Sequence, residues 1–198
     1  MTNPSKNFSE FAVLLIDVQE DFWTKEIAAD FPDFPSKVSQ LLKFCRTKGL
    51  DIIHLRAGFK KDESDWMLRY RLLGEIPCIE ETSGANVLDC AREVQGEPII
   101  IKKSFDSFIN PLLEEILEKG DKRCLLVAGL VTSVCVLLTA ATAAQKGYLV
   151  NVIEDCCADT SEAHCYALKN YPFIFNCTEV SRINTDMEIW ISELQRLN

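Results

Sequence analysis

The chain alternates between short apolar runs and longer stretches with helical patterning. The apolar runs are rich in Val, Ile and Leu, and they are short for helices, so each predicts a buried strand. They occupy residues 11–17, 51–57, 98–102, 124–130, 148–155 and, more weakly, 173–178.

Helical patterns fill most of the intervals between these runs. Residues 110–120 open with Asn110 and Pro111 and close on Gly120, as the ends of a helix commonly do. A second helix is predicted to begin at Pro35. The tail predicts a closing helix with an apolar face made of Met187, Trp190, Ile191 and Leu194.

The repeated alternation of strand and helix predicts a parallel sheet with helices on both faces. The expected fold is a three-layer α/β/α, Rossmann-like α/β domain with a six-stranded, mainly parallel sheet. A length of 198 residues with 47% hydrophobic content suits a single domain over residues 1–198. In open sheets of this kind, ligands bind beyond the carboxyl ends of the strands.

The uncharged stretch 124–145 is long enough to raise a transmembrane alternative. Near Thr132 its composition changes from branched residues to alanine-rich ones, which favours a buried strand followed by a helix. Residues 59–97 are less regular than the rest and predict a loop-rich insertion that roofs a pocket.

Composition excludes some classes of partner. The 21 basic and 30 acidic residues give a net charge of −9, which opposes binding to nucleic acid or to an anionic membrane surface. Nine cysteines, several of them inside apolar runs, indicate buried thiols of a reducing compartment. Since the N-terminal residues also lack the pattern of a secretion signal, we expect a cytoplasmic protein.

Three reactive side chains stand at or just after strand ends. Asp17 ends the first strand, Lys102 ends the third, and Cys135 follows the fourth, near the start of a helix. Each has a structural alternative, since Asp17 could cap a turn, Lys102 could mark the edge of the sheet, and Cys135 could be a packed thiol. Together they predict a nucleophile of depressed pKa beside a cation and a carboxylate base.

The segments LLIDVQEDF, IIIKKSFDSF and LLVAGLVTSVCVLLTAATAAQKGYLVNVIEDCCAD carry a resemblance over residues 11–183. In order and spacing they resemble the isochorismatase-like cysteine hydrolase family, which includes nicotinamidases and the amidohydrolases of carbamoylsarcosine, ureidoacrylate and biuret. The resemblance implies Cys135 as nucleophile, Asp17 as base and proton shuttle, and Lys102 as the third member of a triad. It also implies a cis peptide bond between Leu130 and Val131, and an oxyanion hole formed by the amides of Val131 and Cys135.

The sequence says less about the walls of the pocket and about a metal site than it does about the triad. Nicotinamidases of the family hold a metal with an aspartate and histidines after the second strand, whereas here His54 lies inside that strand and no second histidine follows. We therefore expect no metal and no cofactor. The candidates for lining the pocket are Phe22, Trp23, Trp66 and Phe108.

The function that the resemblance implies is hydrolysis of a C–N bond, in an amide or ureido compound, through a thioester. The resemblance also leads us to expect a small-molecule substrate and a homo-oligomer, either a dimer or a larger assembly. Two alternatives stay open: a vinyl ether hydrolase of the isochorismatase type, which needs no cysteine nucleophile, and a catalytically idle binding module.

Overall fold

The computed structural model describes residues 8–196, so the ends of the predicted 1–198 domain lie outside the described residues. Its centre is a six-stranded sheet in the order β3-β2-β1-β4-β5-β6, and every neighbouring pair is parallel. The strands are β1 (Phe11–Ile16), β2 (Asp51–Ala57), β3 (Ile99–Lys102), β4 (Cys124–Leu130), β5 (Leu149–Ala158) and β6 (Asn176–Thr178).

Seven α-helices connect or follow these strands in the described part of the chain. They are α1 (Lys25–Asp30), α2 (Phe34–Lys48), α3 (Leu68–Leu73), α4 (Pro111–Lys119), α5 (Leu137–Gln145), α6 (Ser161–Lys169) and α7 (Ile183–Arg196). Asn110 caps α4 by accepting the amide hydrogen of Leu112. Gly49 caps the C-terminus of α2, and its φ of 71° favours glycine.

The core forms two large clusters, one on each face of the sheet, and a third, smaller cluster that includes Phe59 and Cys78. Alternate residues of β1 point to opposite faces: Val13 packs in the cluster that includes α2 and α7, and Leu14 in the cluster that includes α4 and α5. Around β1 and β4, both large clusters are fully shielded from solvent, because every residue of these two strands is buried. The predicted three-layer α/β/α fold is confirmed.

Two strand ends differ by three residues from their predicted positions. The sixth strand begins only at Asn176, because the backbone turns at Tyr171 to Ile174 and leaves Phe173 exposed. The fifth strand continues to Ala158, so the adjacent Cys156 and Cys157 are buried packing residues inside it. The uncharged stretch 124–145 forms a buried strand, a π-helical turn (Thr132–Val136) and α5.

No helix among residues 8–196 has both the length and the apolar character that a membrane span requires.

The direction in which successive strands are added to the sheet reverses between β1 and β4, which are neighbours at its centre. From β1 the chain moves outward to β2 and β3, and from β4 it moves the other way to β5 and β6. Such a switch point opens a crevice at the carboxyl ends of the two central strands. Gly129, with φ 131°, brings β4 close to β1 there, because a Cβ on it would lie 1.9 Å from the carbonyl oxygen of Ile16.

Candidate active site

Asp17 is the first residue beyond β1 and is completely buried. Its φ of 50° is in the left-handed region, which non-glycine residues adopt mainly where the surroundings require it. The main chain is fixed by its amide, which donates to the Leu55 carbonyl at 2.8 Å, and the side chain by Oδ1, which accepts the Ala57 amide hydrogen at 2.8 Å. The end of β2 therefore orients this carboxylate.

Lys102 reaches Asp17 from the end of β3. Its Nζ lies 2.7 Å from Oδ2 of Asp17, donates to the Ser104 carbonyl at 2.8 Å, and lies 3.6 Å from Sγ of Cys135. The side chain is only 1% exposed. A buried ammonium group is normally paired, and here the partners are one carboxylate, one carbonyl and one sulfur.

Cys135 lies in the π-helical turn Thr132–Val136 between β4 and α5, and it is buried. Two neighbours hold this turn. Oδ2 of Asp159, just after β5, accepts hydrogen bonds from the amide and hydroxyl of Ser133, at 2.9 and 2.6 Å. On the other side, Oγ1 of Thr132 and Nδ1 of His164 in α6 are hydrogen-bonded at 2.9 Å. The Leu130–Val131 peptide bond that precedes the turn is cis.

The three side chains perturb one another's pKa values. Burial raises the pKa of Asp17, and Lys102 partly opposes this. Burial lowers the pKa of Lys102, but its interactions with Asp17 and Cys135, above all the charge of Asp17, outweigh burial, so the pKa is raised. Lys102 therefore stays protonated beside the carboxylate.

The pKa of the Cys135 thiol is also raised, by burial first and then by the charge of Asp17, against the effect of Lys102. The prediction of a depressed thiol pKa is therefore wrong for the site without substrate, because burial and the carboxylate together exceed the effect of one cation. A neutral thiol can still act as a nucleophile when a base removes its proton during attack, and the Asp17 carboxylate is close enough for its charge to act on this thiol.

A cavity of about 240 Å³ opens onto Cys135, and Lys102 and Val131 also line it. Among the predicted wall residues, Phe22 lines this cavity. Residues 59–97 contribute Phe59, Met67, Tyr70 and Pro77 to its walls, as expected of an insertion that roofs a pocket.

The structure places the other three candidates elsewhere. Trp23 stacks on Phe34 with ring centroids 5.0 Å apart and faces a different depression. Trp66 packs outside the cavity, and its Nε1 donates to the Lys60 carbonyl. Phe108 packs in the core that includes α4 and α5.

Sequence reasoning missed most of the wall. Met67 and Tyr70 lie on or beside α3, a short helix whose sequence has no apolar periodicity that marks a buried face. Phe105, three residues after Lys102, carried a usable signal, because residues that follow a strand end tend to border the crevice.

The residues present do not fit the nicotinamidase type of metal site. His54 is buried inside β2, where its Nε2 is hydrogen-bonded to Oε2 of Glu97 at 2.8 Å. Between residues 8 and 196, no cluster of three or more His, Cys, Asp or Glu side chains has the arrangement of a metal site.

Comparison with known proteins agrees with this fold. Residues 11–180 match the isochorismatase domain family. The chain belongs to the isochorismatase family. It is 25% identical over 152 residues to the uncharacterized isochorismatase family protein YddQ of Bacillus subtilis, which covers 76% of this chain and 78% of YddQ. The resemblance inferred from sequence is thus confirmed for the family, whose members include hydrolases.

Solved structures of isochorismatase relatives share the architecture. A cysteine hydrolase from Pseudomonas syringae superposes with a TM-score of 0.83 at 20% identity, covering 95% of this chain and 99% of that one. The N-carbamoylsarcosine amidase from Thermoplasma acidophilum superposes with a TM-score of 0.71, also at 20% identity, covering 86% and 96%. At these identities the similarity concerns the fold.

Proposed function

We propose that this isochorismatase-family protein is a cysteine hydrolase that cleaves a C–N bond of a small amide or ureido compound through a thioester on Cys135. One observation carries the proposal: Cys135, Lys102 and Asp17 form one buried cluster at the switch point of the sheet, and a cavity opens onto the thiol. A thiol with a carboxylate and a cation at its side has the parts that nucleophilic catalysis needs.

The proposed first stage forms the thioester. Asp17 takes the thiol proton while Sγ of Cys135 attacks the carbonyl carbon, and the resulting oxyanion accepts hydrogen bonds from the amides of Val131 and Cys135. The tetrahedral intermediate then collapses, the C–N bond breaks, and Asp17 gives its proton to the departing amine or ammonia. Preorganised donors of this kind each contribute about 3 kcal/mol to lowering such barriers.

The second stage releases the acid. Asp17 removes a proton from water, the hydroxide attacks the thioester carbon, and the C–S bond breaks. The carboxyl proton returns to the sulfur, which restores the thiol and the carboxylate. Lys102 balances the charge of Asp17 throughout and keeps the raised pKa of that carboxyl from rising further.

Turnover of a panel of primary amides and ureido compounds tests the proposal. Release of ammonia or amine is followed for the unmodified protein, for Cys135→Ala and for Cys165→Ser, which removes an exposed thiol from α6. We expect turnover in the unmodified protein and in Cys165→Ser, and none in Cys135→Ala. Absence of turnover on every compound, with the protein folded, would favour the idle binding module.

A further inference from the structure

The cavity at Cys135 has apolar walls. Three phenylalanines, Phe22, Phe59 and Phe105, line it together with Met67 and Tyr70. Phe105 packs beside Tyr70, with ring centroids 5.9 Å apart, so the aromatic wall is continuous on that side. The volume of about 240 Å³ is below the range common for drug-sized ligands, which indicates a small substrate.

The only charged side chain among the described residues that line the cavity is Lys102. Its charge is already balanced by Asp17 at 2.7 Å, and it also donates to the Ser104 carbonyl. Arg69 and Arg71 lie on the adjacent helix α3, but both are exposed and neither lines the cavity. A substrate that carried its own charge would therefore meet no counter-ion inside.

This distribution of charge determines which substrates the walls accept. Moving an ionised group from water into apolar surroundings without a partner is strongly unfavourable, whereas an apolar acyl group gains from the same burial. We infer that the site takes small uncharged carboxamides whose acyl group is apolar, either carbocyclic or branched aliphatic, and rejects amides that carry a carboxylate, a phosphate or an ammonium group. This substrate class rests on the proposed function, because the carbonyl of the amide must face Cys135.

Binding to Cys135→Ala protein tests the inference without requiring turnover. Isothermal titration compares benzamide with 4-carboxybenzamide, which differs only by an ionised group at the far end of the ring. We expect benzamide to bind at least about 100-fold more tightly. Equal or tighter binding of 4-carboxybenzamide would overturn the inference, and so would failure of both compounds to bind at millimolar concentration.

Two charge-adding substitutions in the Cys135→Ala protein sharpen the comparison. Phe105→Arg places a cation on the wall, at a side chain that is 37% exposed and can accept a longer one. Leu72→Arg adds the same charge to α3 at a side chain that is 72% exposed and does not line the cavity. We expect Phe105→Arg to improve binding of 4-carboxybenzamide by about tenfold or more, and Leu72→Arg to leave both affinities unchanged.

Met67→Arg serves as a second wall variant if Phe105→Arg does not fold. An unchanged affinity ratio in a folded wall variant would count against the inference. Failure of the proposed function is a separate result: benzamide that binds Cys135→Ala as expected, yet is never hydrolysed by the unmodified protein, would contradict the proposed chemistry and leave the charge selection standing.

Discussion

At the scale of single residues, Asp17 carries the largest share of the proposed chemistry. It is completely buried, its backbone is in the left-handed region, and its two carboxylate oxygens have different partners. Oδ1 accepts the Ala57 amide hydrogen, and Oδ2 faces the ammonium group of Lys102. Oδ1 therefore holds the side chain in position, and Oδ2 remains to exchange protons and to pair with the charge of Lys102.

Asp17→Asn should therefore remove the base. It also leaves the buried ammonium group of Lys102 without its counter-ion, so the variant should be less stable than the unmodified protein. The asparagine keeps an oxygen for the Ala57 amide hydrogen, but it cannot accept the thiol proton. We expect kcat/KM for an amide substrate to fall by about 10²–10⁴-fold. Steady-state kinetics give the loss, and thermal unfolding controls for stability. Undiminished kcat/KM in the folded variant would show that another group is the base.

The pH dependence of kcat/KM follows from the raised pKa of Asp17. The base works only as a carboxylate, so activity should be lost as pH falls through that raised value. The acid limb is expected above about pH 4, where an ordinary aspartic acid is still mostly ionised. A rate profile with circular dichroism at each pH measures it, and full activity in folded protein at about pH 4 would contradict the raised value.

At the scale of elements, the π-helical turn Thr132–Val136 sets the position of the nucleophile. Its partners come from the other side of the site: Asp159 follows β5 and accepts from Ser133, and His164 of α6 bonds to Thr132. The turn is therefore held by residues that follow it in the chain, so the orientation of Cys135 depends on the correct docking of β5 and α6.

The Asp159–Ser133 contact can be tested against a matched one. Oδ2 of Asp30 accepts the amide and hydroxyl of Ser161 at 3.1 and 2.6 Å, in the same pattern that Asp159 makes with Ser133. Each substitution by alanine should lower the free energy of unfolding by about 1 kcal/mol. Only Asp159→Ala should also lower kcat, because Asp159 holds the turn that carries Cys135. We expect a loss of about tenfold, which corresponds to about 1.4 kcal/mol in the barrier.

Kinetics and chemical denaturation of both variants measure these effects. The KM of Asp159→Ala should change little, since the wall of the cavity is intact. Equal kcat values for Asp159→Ala and Asp30→Ala would mean that the contact at Ser133 is structural only.

At the scale of the whole molecule, Glu97 joins α2 to the sheet through an ion pair and a hydrogen bond. Glu97, just before β3, binds Arg46 of α2 at 2.8 Å and His54 of β2 at 2.8 Å. Burial raises the pKa of Glu97, but the hydrogen bonds from Arg46 and His54 outweigh it and lower the pKa to about 2. A carboxyl with a lowered pKa stabilises the fold above its unfolded pKa and loses that effect as pH falls.

Glu97→Gln should accordingly destabilise the protein at neutral pH by about 1–3 kcal/mol. The difference from the unmodified protein should shrink as pH falls from about 4.5 towards about 2. Urea unfolding across this range gives the free energies. Glu114→Gln breaks an exposed pair with Lys146 and should change stability by less than about 1 kcal/mol. A constant effect of Glu97→Gln at every pH would contradict the lowered pKa.

The fold could be predicted from the sequence because its strands are buried on both faces and read as continuous apolar runs. Asp17, Lys102 and Cys135 were found by the same logic, since they stand where those runs end. Most of the cavity wall was not, because Met67 and Tyr70 belong to an irregular insertion. Trp23 packs on Phe34 instead, in a direction that local sequence does not encode. The sign of the Cys135 pKa shift depends on burial, a property of the assembled fold. Oligomerisation and cytoplasmic location stay predictions.

Formation of the thioester is the central claim, and the mass of the intact protein tests it most directly. The protein is mixed with a primary amide that it hydrolyses and is quenched in acid during turnover. The mass of the intact protein is measured first, and peptide mapping then locates any adduct. The account predicts a gain equal to the acyl group, located on Cys135, present in Cys165→Ser and absent from Cys135→Ala. Turnover without any acyl adduct, or an adduct of the same mass in Cys135→Ala, would contradict it.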